Sequence, residues 1–243
     1  MLSAFHFIRT GRLWLPACLL LWMVLACSCN PAGELIRSAE VSQWEPEIVL
    51  LDSLNGIENA DPGTILVTGS SSVRLWDSIQ SDLFPYRVMK RGYGGAKLTD
   101  FNHYAGRIIQ PGTYKAILVF VANDITGGEH DRTPGEVLSL FRLLVRQVRE
   151  RNPGTPLFWI ETTPTPSRWN AIDQIHEANE RIRSYCDRTP DLNFIPTFDI
   201  FTGEDRLPDS IWFRDDMLHL NRSGYRIWSE RIRETLMEEG ITP

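Results

Sequence analysis

Short apolar runs alternate with longer amphipathic segments from about residue 60 to the end of the chain. Five runs have the length of buried strands: "TILVTG", "YRVMKRG", "KAILVFVAND", "PLFWIETTP" and "LNFIPTFD". Helices are predicted between or after them over residues 134–150, 169–186 and 222–238. Strands that alternate with helices favour a parallel sheet covered on both faces, so the pattern predicts an α/β fold.

The clearest helix signal is the segment that begins at Thr133. Thr133 is a suitable N-cap, Pro134 suits the first turn, and Glu136 can reach back to complete a capping box. Apolar residues then recur at helical spacing, at Val137, Leu140, Phe141, Leu144 and Val148. A further helix, which Gly56 can end, is predicted ahead of the first strand from the same spacing of Trp44, Ile48, Leu51 and Leu54.

The N-terminal residues have the pattern of a secretory signal rather than of a folded segment. Arg9 and Arg12 precede the apolar stretch "LWLPACLLLWMVLAC", in which Pro16 disfavours a continuous spanning helix. The end of this stretch, "VLAC", resembles a bacterial lipoprotein signal, which implies that Cys27 carries lipid. An uncleaved membrane anchor is the alternative.

We therefore expect three parts: a signal peptide over residues 1–26, a polar tether over 27–42 and one folded domain over 43–243. Both interpretations of the N-terminus place the domain outside the cytoplasm. We expect it in the bacterial cell envelope, in the periplasm or at the outer membrane, with the membrane as a partner through the lipid anchor.

Charge and cysteine content exclude some classes of partner and site. The formal net charge is −6, and it becomes −8 once the two arginines of the signal are removed. An acidic surface repels phosphate backbones, so we expect no nucleic-acid partner. Of the four cysteines, Cys18 leaves with the signal and Cys27 carries lipid. The remaining two, Cys29 and Cys186, indicate neither a disulfide scaffold nor a zinc site.

Polar and glycine-rich segments follow four of the predicted strands. In parallel sheets the groups that do chemistry collect at the carboxyl ends of the strands. The segments at those ends are "GSSS", "RGYGGA", "VAND" and "ETTPTPSR". We expect a site to be built there.

A fifth segment, "DMLH", lies just ahead of the last helix. The three-residue spacing lets the carboxylate of Asp216 reach the imidazole of His219 within one turn, where it would fix the tautomer. A serine after the first strand would complete a nucleophile, base and orienting carboxylate. The alternative is that Asp216 and Asn221 only cap the terminal helix.

Taken together, "GSSS", "RGYGGA", "VAND" and "DMLH" resemble, in order and spacing, the blocks of the SGNH hydrolases, the GDSL lipase/esterase superfamily. The resemblance spans residues 60–238. Within the superfamily, the chain most resembles the branch whose first block begins "GSSSxRxW". That branch is akin to the platelet-activating-factor acetylhydrolase-like and carbohydrate-esterase members. The resemblance implies a three-layer, flavodoxin-like fold with a parallel sheet of about five strands and helices on both faces.

The resemblance also implies roles for individual residues. Ser71 would be the nucleophile, His219 the general base and then acid, and Asp216 the residue that orients it. The oxyanion hole would consist of the backbone N–H groups of Ser71 and Gly95 and the side-chain amide of Asn123. Such enzymes work without a metal or other cofactor.

Four positions deserve separate expectations. Ser70 stands where the family more often has aspartate, and Ser72 is well placed to cap the following helix. Lys90 stands where the family usually has asparagine. Val121 replaces a glycine of the third block, where its side chain is expected to narrow the space for the acyl or leaving group.

Other motifs indicate other chemistry only weakly. Val73 fills the last position of a Gly-x-Ser-x-Gly elbow, which disfavours an ordinary α/β-hydrolase. "GYGG" lacks the spacing of a dinucleotide site. His130, beside Glu129 and Asp131, is a weak metal-ligand candidate that fits a solvated loop better. His103 and His176 are expected to be surface or packing residues.

The expected function is a serine esterase that hydrolyses short acyl esters, with acetyl groups on carbohydrates first and other small esters next. A lipid or lysophospholipid esterase is the alternative within the same class. A non-catalytic carbohydrate-binding protein of the envelope is the alternative from another class, although it would be expected to lose at least one residue of the site.

Overall fold

The computed structural model of the chain describes residues 41–58, 61–112 and 114–243. The predicted signal peptide over 1–26, its lipidated Cys27 and all but the last two residues of the tether lie outside the described residues. Within the described ranges, no helix is long and apolar enough to cross a membrane.

The centre of the fold is one parallel sheet of five strands. They are β1 (Thr64–Gly69), β2 (Arg87–Gly92), β3 (Ala116–Phe120), β4 (Leu157–Ile160) and β5 (Leu192–Ile195), in the order β2-β1-β3-β4-β5. Every neighbouring pair is parallel. All residues of β1, β3 and β4 are buried, as continuous apolar runs covered on both faces should be. The five-stranded parallel sheet predicted from the pattern is confirmed.

The α-helices precede, connect and follow the strands. They are α1 (Glu45–Asn55), α2 (Ser71–Arg74), α3 (Ile79–Asp82), α4 (Leu98–Ile108), α5 (Pro134–Arg151), α6 (Ile172–Cys186), α7 (Phe198–Phe201) and α8 (Arg222–Glu238). Short 3-10 turns cover Val41–Trp44, Pro166–Ala171 and Ser210–Trp212. The helices predicted over 134–150 and 222–238 are confirmed. The one predicted over 169–186 becomes α-helical only at Ile172, because the chain first makes a 3-10 turn after Pro166.

Two hydrophobic cores lie on opposite faces of the sheet, since side chains of a strand alternate in direction. In β1, Leu66 packs into one core, with α1, α4, α5 and α6, and its neighbours Ile65 and Val67 pack into the other, with α2, α3, α7 and α8. The fold is therefore the three-layer, flavodoxin-like α/β arrangement that was expected.

The predicted capping box at the start of α5 is present. The Thr133 hydroxyl accepts a hydrogen bond from the Glu136 backbone N–H at 3.3 Å, and the Glu136 carboxylate accepts from the Thr133 N–H at 2.8 Å. Such a pair satisfies two backbone donors that the first turn leaves unpaired. It fixes where α5 begins, immediately after the loop that follows β3.

The folded domain begins earlier than residue 43. Val41 is buried in the core, and its carbonyl accepts a hydrogen bond from the Tyr104 hydroxyl at 3.2 Å. Trp44 packs edge-on against Tyr93, with ring centroids 5.6 Å apart. Val41 and Ser42, assigned to the tether from composition, thus belong to the domain, because an apolar side chain at 41 can be buried against α4.

Candidate active site

The turn from β1 into α2 is held tightly against the neighbouring strand. Gly69 has φ +138°, and a Cβ there would lie 1.9 Å from the Phe120 carbonyl oxygen, so only glycine fits. The Ser70 N–H donates to the same carbonyl at 2.8 Å. These contacts present Ser71, the first residue of α2, at the carboxyl end of the sheet.

Ser71, His219 and Asp216 form one chain of hydrogen bonds. His219 Nε2 lies 3.0 Å from Ser71 Oγ, and His219 Nδ1 lies 2.7 Å from Asp216 Oδ2. An ionised carboxylate can only accept, so Nδ1 carries the proton and Nε2 is the acceptor for the serine hydroxyl. Ser71 and His219, 148 positions apart in sequence, are thus brought together, as the family resemblance implies.

The turn that carries the histidine is organised around the carboxylate of Asp216. Its Oδ1 accepts hydrogen bonds from the backbone N–H groups of Leu218 and His219, both at 2.9 Å. Burial alone would raise the pKa of Asp216. The hydrogen bonds from the His219 side chain and from the two N–H groups outweigh burial and lower the pKa to about 2. The group is therefore ionised at neutral pH.

The capping alternative is settled by Asn221. Its side-chain oxygen accepts from the Gly224 N–H at 3.0 Å, which makes Asn221 the N-cap of α8. The side chain of Asp216 is instead hydrogen-bonded to His219. The two polar residues therefore have different tasks.

The N-cap of α2 is Ser70 and not Ser72, so the expected capping role of Ser72 is wrong. Ser70 has an extended backbone (φ −89°, ψ −162°) and occupies the N-cap of α2, without a capping bond from its side chain. Ser72 is the second residue of the helix, so it cannot cap it. The Ser71 N–H, at the first helical position, has no acceptor within α2 and points away from the helix body.

Asn123 follows β3 and is held on both sides of its amide. Its Nδ2 donates to the Ala96 carbonyl at 2.9 Å, and its Oδ1 accepts from Arg168 at 2.6 Å. Ala96 adjoins Gly95, whose φ is +64°. A Cβ added at this position would lie 2.8 Å from the Trp44 ring. Backbone and packing both require glycine there.

A cavity of about 20 Å³ adjoins Ser71 and His219. Its lining includes the serine cluster, Asn123 and Arg168, and its remaining walls are Phe120, Ala122, Thr163, Thr165 and Leu218. Gly95 is not among the lining residues, so its oxyanion role stays a prediction. A larger cleft, about 650 Å³, lies at β5 and the ends of α6 and α8, away from this chemistry.

Within residues 41–58, 61–112 and 114–243, no group of three or more His, Cys, Asp or Glu side chains is placed to hold a metal ion. His130 is exposed in the loop after β3. The neighbouring Asp131 accepts hydrogen bonds from the backbone of Thr126, Gly127 and Gly128. His103 and His176 are exposed on helices, as expected.

A family model for the GDSL-like lipase/acylhydrolase family matches residues 62–227, which include Ser71, Gly95, Asn123, Asp216 and His219. The chain belongs to this family. With the serine, histidine and aspartate in hydrogen-bond contact, it is a serine hydrolase that cleaves esters. No curated protein is a significant match by sequence.

Several solved structures have the same fold. One is a protein from Streptococcus pneumonia provisionally described as a platelet activating factor, with a TM-score of 0.72, 20% identity, and coverage of 86% of this chain and 100% of that chain. An acetyl xylan esterase, AlAXEase, has a TM-score of 0.59 and 14% identity, with coverage of 71% of this chain and 99% of that chain. A carbohydrate esterase of family 3 from Talaromyces cellulolyticus has a TM-score of 0.54 and 16% identity, with coverage of 72% of this chain and 96% of that chain. At these identities the likeness establishes the fold alone.

The departures from the family pattern at Val121 and Lys90 have structural explanations. Val121 is buried in the core and does not line the cavity beside Ser71, so the expected narrowing of that cavity by Val121 is wrong. Its side chain points into the sheet-helix interface because directions alternate past the end of β3. Lys90 Nζ donates to the carbonyls of Arg74 and Trp76 at 3.1 and 3.3 Å, and so holds the end of α2.

Two buried carboxyl groups support the loop that contains Gly95. Asp124 accepts from the Leu98 N–H at 2.9 Å, and Asp100 accepts from the Tyr93 hydroxyl at 2.5 Å and from the Lys97 N–H at 3.1 Å. Burial raises the pKa of Asp124 to about 7 and that of Asp100 to about 6. Neither residue was singled out from the sequence, although Asp124 is part of "VAND".

Arg168 is the other site residue that sequence reasoning missed. It lies on the 3-10 turn after β4, in "ETTPTPSR", a segment expected to contribute to the site without a role for any one residue. Its guanidinium donates to the Ala122 carbonyl at 2.5 Å and to Asn123 Oδ1 at 2.6 Å.

Proposed function

We propose that the enzyme hydrolyses short acyl esters, with acetyl groups on carbohydrates as the first candidates, through an acyl-Ser71 intermediate. The observation that carries this proposal is the continuous hydrogen-bonded chain from Asp216 through His219 to Ser71 Oγ. A hydroxyl is a weak nucleophile until a base accepts its proton, and Nε2 is positioned for that transfer.

The first half of the reaction transfers the acyl group. Ser71 Oγ forms a bond to the ester carbonyl carbon as its proton passes to His219 Nε2, and the carbonyl π electrons move onto oxygen. Collapse of this intermediate breaks the bond to the alcohol oxygen, which takes the proton from Nε2 and leaves as the alcohol. Asp216, ionised at neutral pH, stabilises the imidazolium that exists between these transfers.

The second half regenerates the serine. A water molecule gives its proton to His219 Nε2 as its oxygen attacks the acyl carbon. The intermediate expels Ser71 Oγ, which takes the proton back, and the carboxylic acid is released.

The negative oxygen of both intermediates needs fixed donors. We assign this role to the N–H groups of Ser71 and Gly95 and to Nδ2 of Asn123. Asn123 lines the cavity, and its neighbour Ala96 ties it to the loop that contains Gly95. Donors held in place before the reaction stabilise this charge more than mobile water does.

The size of the cavity supports a short acyl chain. About 20 Å³ holds roughly one water molecule or one methyl group. Two structural neighbours are named as an acetyl xylan esterase and a carbohydrate esterase, and these names support acetylated carbohydrates as the substrate class.

Activity is expected to fall with acyl length. With p-nitrophenyl esters from acetyl to decanoyl, we expect kcat/KM to decrease at least about tenfold between acetyl and octanoyl, because each extra methylene must displace a wall of the cavity. Leu218→Ala widens the cavity but keeps the backbone N–H that Asp216 uses, and it should shift the optimum to longer chains. A wild-type optimum at octanoyl or decanoyl would instead indicate a lipid esterase.

We also propose that the domain is secreted and held to an envelope membrane by lipid on Cys27. The support is the sequence pattern of residues 1–27 alone. The mature protein should partition into the detergent phase, and Cys27→Ala should move it to the aqueous phase. Retention in the detergent phase after that substitution would indicate an uncleaved anchor.

A further inference from the structure

The orientation of the Asn123 amide is fixed by two groups of opposite hydrogen-bonding character. The Ala96 carbonyl can only accept, so the atom that faces it must be Nδ2. A guanidinium can only donate, so the atom that faces Arg168 must be Oδ1. Rotating the amide by half a turn would break both hydrogen bonds. The NH₂ group would then face the Arg168 guanidinium, donor against donor, and the oxygen would face the Ala96 carbonyl, acceptor against acceptor.

The amide retains one N–H for other use. Of its two N–H bonds, one points to Ala96, and Asn123 lines the cavity beside Ser71 and His219. Asn123 is in the oxyanion hole of the proposed mechanism, so this second N–H is the one that would face the negative oxygen.

Arg168 binds two neighbouring acceptors at once, with its two terminal guanidinium nitrogens arranged as a fork. One guanidinium nitrogen donates to the Ala122 carbonyl at 2.5 Å and the other to Asn123 Oδ1 at 2.6 Å. The two acceptors belong to adjacent residues just past β3, so the planar guanidinium fixes the side-chain amide relative to its own backbone. A lysine, with one ammonium group, does not offer this rigid spacing of donors.

The positive charge of Arg168 is partly enclosed by protein. Burial lowers the pKa of Arg168, and the carboxylates of Asp131 and Asp124 oppose that effect. An arginine remains charged in proteins, so a full positive charge contacts the amide oxygen. A charged donor on Oδ1 polarises the amide and makes its N–H groups stronger donors.

We propose that Arg168 is a positioning residue for ester hydrolysis: it orients and polarises the amide of Asn123, so that the remaining N–H stabilises the oxyanion. The inference rests on the proposed role of Asn123 in the oxyanion hole. Arg168 acts through Asn123 and makes its contribution in the transition state, where the negative charge develops.

A double-mutant cycle tests the inference. With p-nitrophenyl acetate, Asn123→Ala should lower kcat about 10²- to 10³-fold, as loss of one oxyanion donor does. Arg168→Ala should lower kcat about 10- to 100-fold with KM changed less than about threefold. Adding Arg168→Ala to Asn123→Ala should lower kcat less than about threefold further, because the group through which Arg168 acts is already gone.

Matched variants separate positioning from charge and from folding. Arg168→Lys keeps the charge without the fork and should fall between wild type and Arg168→Ala. Arg181→Ala removes an exposed arginine of α6 that pairs with Glu177, and it should leave kcat unchanged. Thermal unfolding shows which variants are folded, and Arg168→Gln, which can still donate one hydrogen bond, replaces Arg168→Ala in the cycle if the alanine variant does not fold.

The outcomes distinguish the two proposals. An Arg168 effect of the same size with and without Asn123, or one confined to KM, overturns the positioning role and leaves the oxyanion role of Asn123 standing. If Asn123→Ala leaves kcat unchanged while Ser71→Ala abolishes it, the oxyanion role of Asn123 fails and the positioning role fails with it.

Discussion

Ser71→Ala is expected to lower kcat for p-nitrophenyl acetate by about 10⁴- to 10⁶-fold. The hydroxyl that lies 3.0 Å from His219 Nε2 is the atom that forms the acyl-enzyme, and alanine has nothing to replace it. The remaining donors would still bind the ester and polarise its carbonyl, so a small residual rate is expected. Steady-state kinetics measure the loss of kcat, and thermal unfolding of both proteins shows whether the variant is folded.

The neighbouring serine provides the control. Ser72→Ala changes the next residue of the same short helix, and its hydroxyl makes no hydrogen bond to His219 within the described residues. It should retain at least about a tenth of wild-type kcat, since only its side chain in the cavity wall is altered. Equal losses in the two variants would mean that the geometry of α2, rather than the Ser71 hydroxyl, was disturbed. A Ser71→Ala variant as active as wild type would reject the assigned nucleophile.

The fold was predictable because its signals are local and repeated. The apolar runs of β1 and β3 are buried on both faces, and the face of α5 recurs over several turns from Val137 onward. Such patterns can be recognised in the sequence without knowledge of tertiary contacts. The start of α6 was less predictable, since a 3-10 turn and an α-helix share most of their sequence preferences.

The members of the site were predictable to different degrees. The turn of Asp216 and His219 follows from their spacing, whereas the choice of Ser71 among the three serines comes from the family resemblance. The contribution of Arg168 does not, because it depends on a contact 45 residues away that no periodicity encodes. The same holds for Asp100, whose effect on the loop arises from burial against Tyr93.

These missed residues all hydrogen-bond to groups in or next to the proposed oxyanion hole. Asp124 and Asp100 accept from backbone N–H groups just after Gly95, and Arg168 donates to Asn123. The family pattern names the atoms that face substrate, whereas the structure shows what keeps them in place. Preorganisation of donors depends on such supporting contacts, since a displaced donor stabilises the oxyanion poorly.

The second large effect is expected for Asp216→Asn, which should lower kcat at neutral pH about 10³- to 10⁴-fold. An asparagine oxygen can still accept from the N–H groups of Leu218 and His219, so the turn is kept. Its NH₂ group then faces His219 Nδ1, which must become an acceptor, and the ring proton moves to Nε2. In that tautomer Nε2 has no lone pair for the Ser71 proton, so the nucleophile is not activated.

The low pKa of Asp216 makes this experiment simple to interpret. The pKa of about 2 means that the carboxylate is charged at every pH used for assay, so the loss in Asp216→Asn reflects removal of that carboxylate and not a change in its titration. Asp215→Asn makes the same chemical change one residue earlier, on an exposed side chain, and should leave kcat within about twofold of wild type. If Asp216→Asn keeps more than about a tenth of wild-type kcat while folded, the carboxylate does not set the tautomer of His219, and the base must be oriented by the backbone of the turn alone.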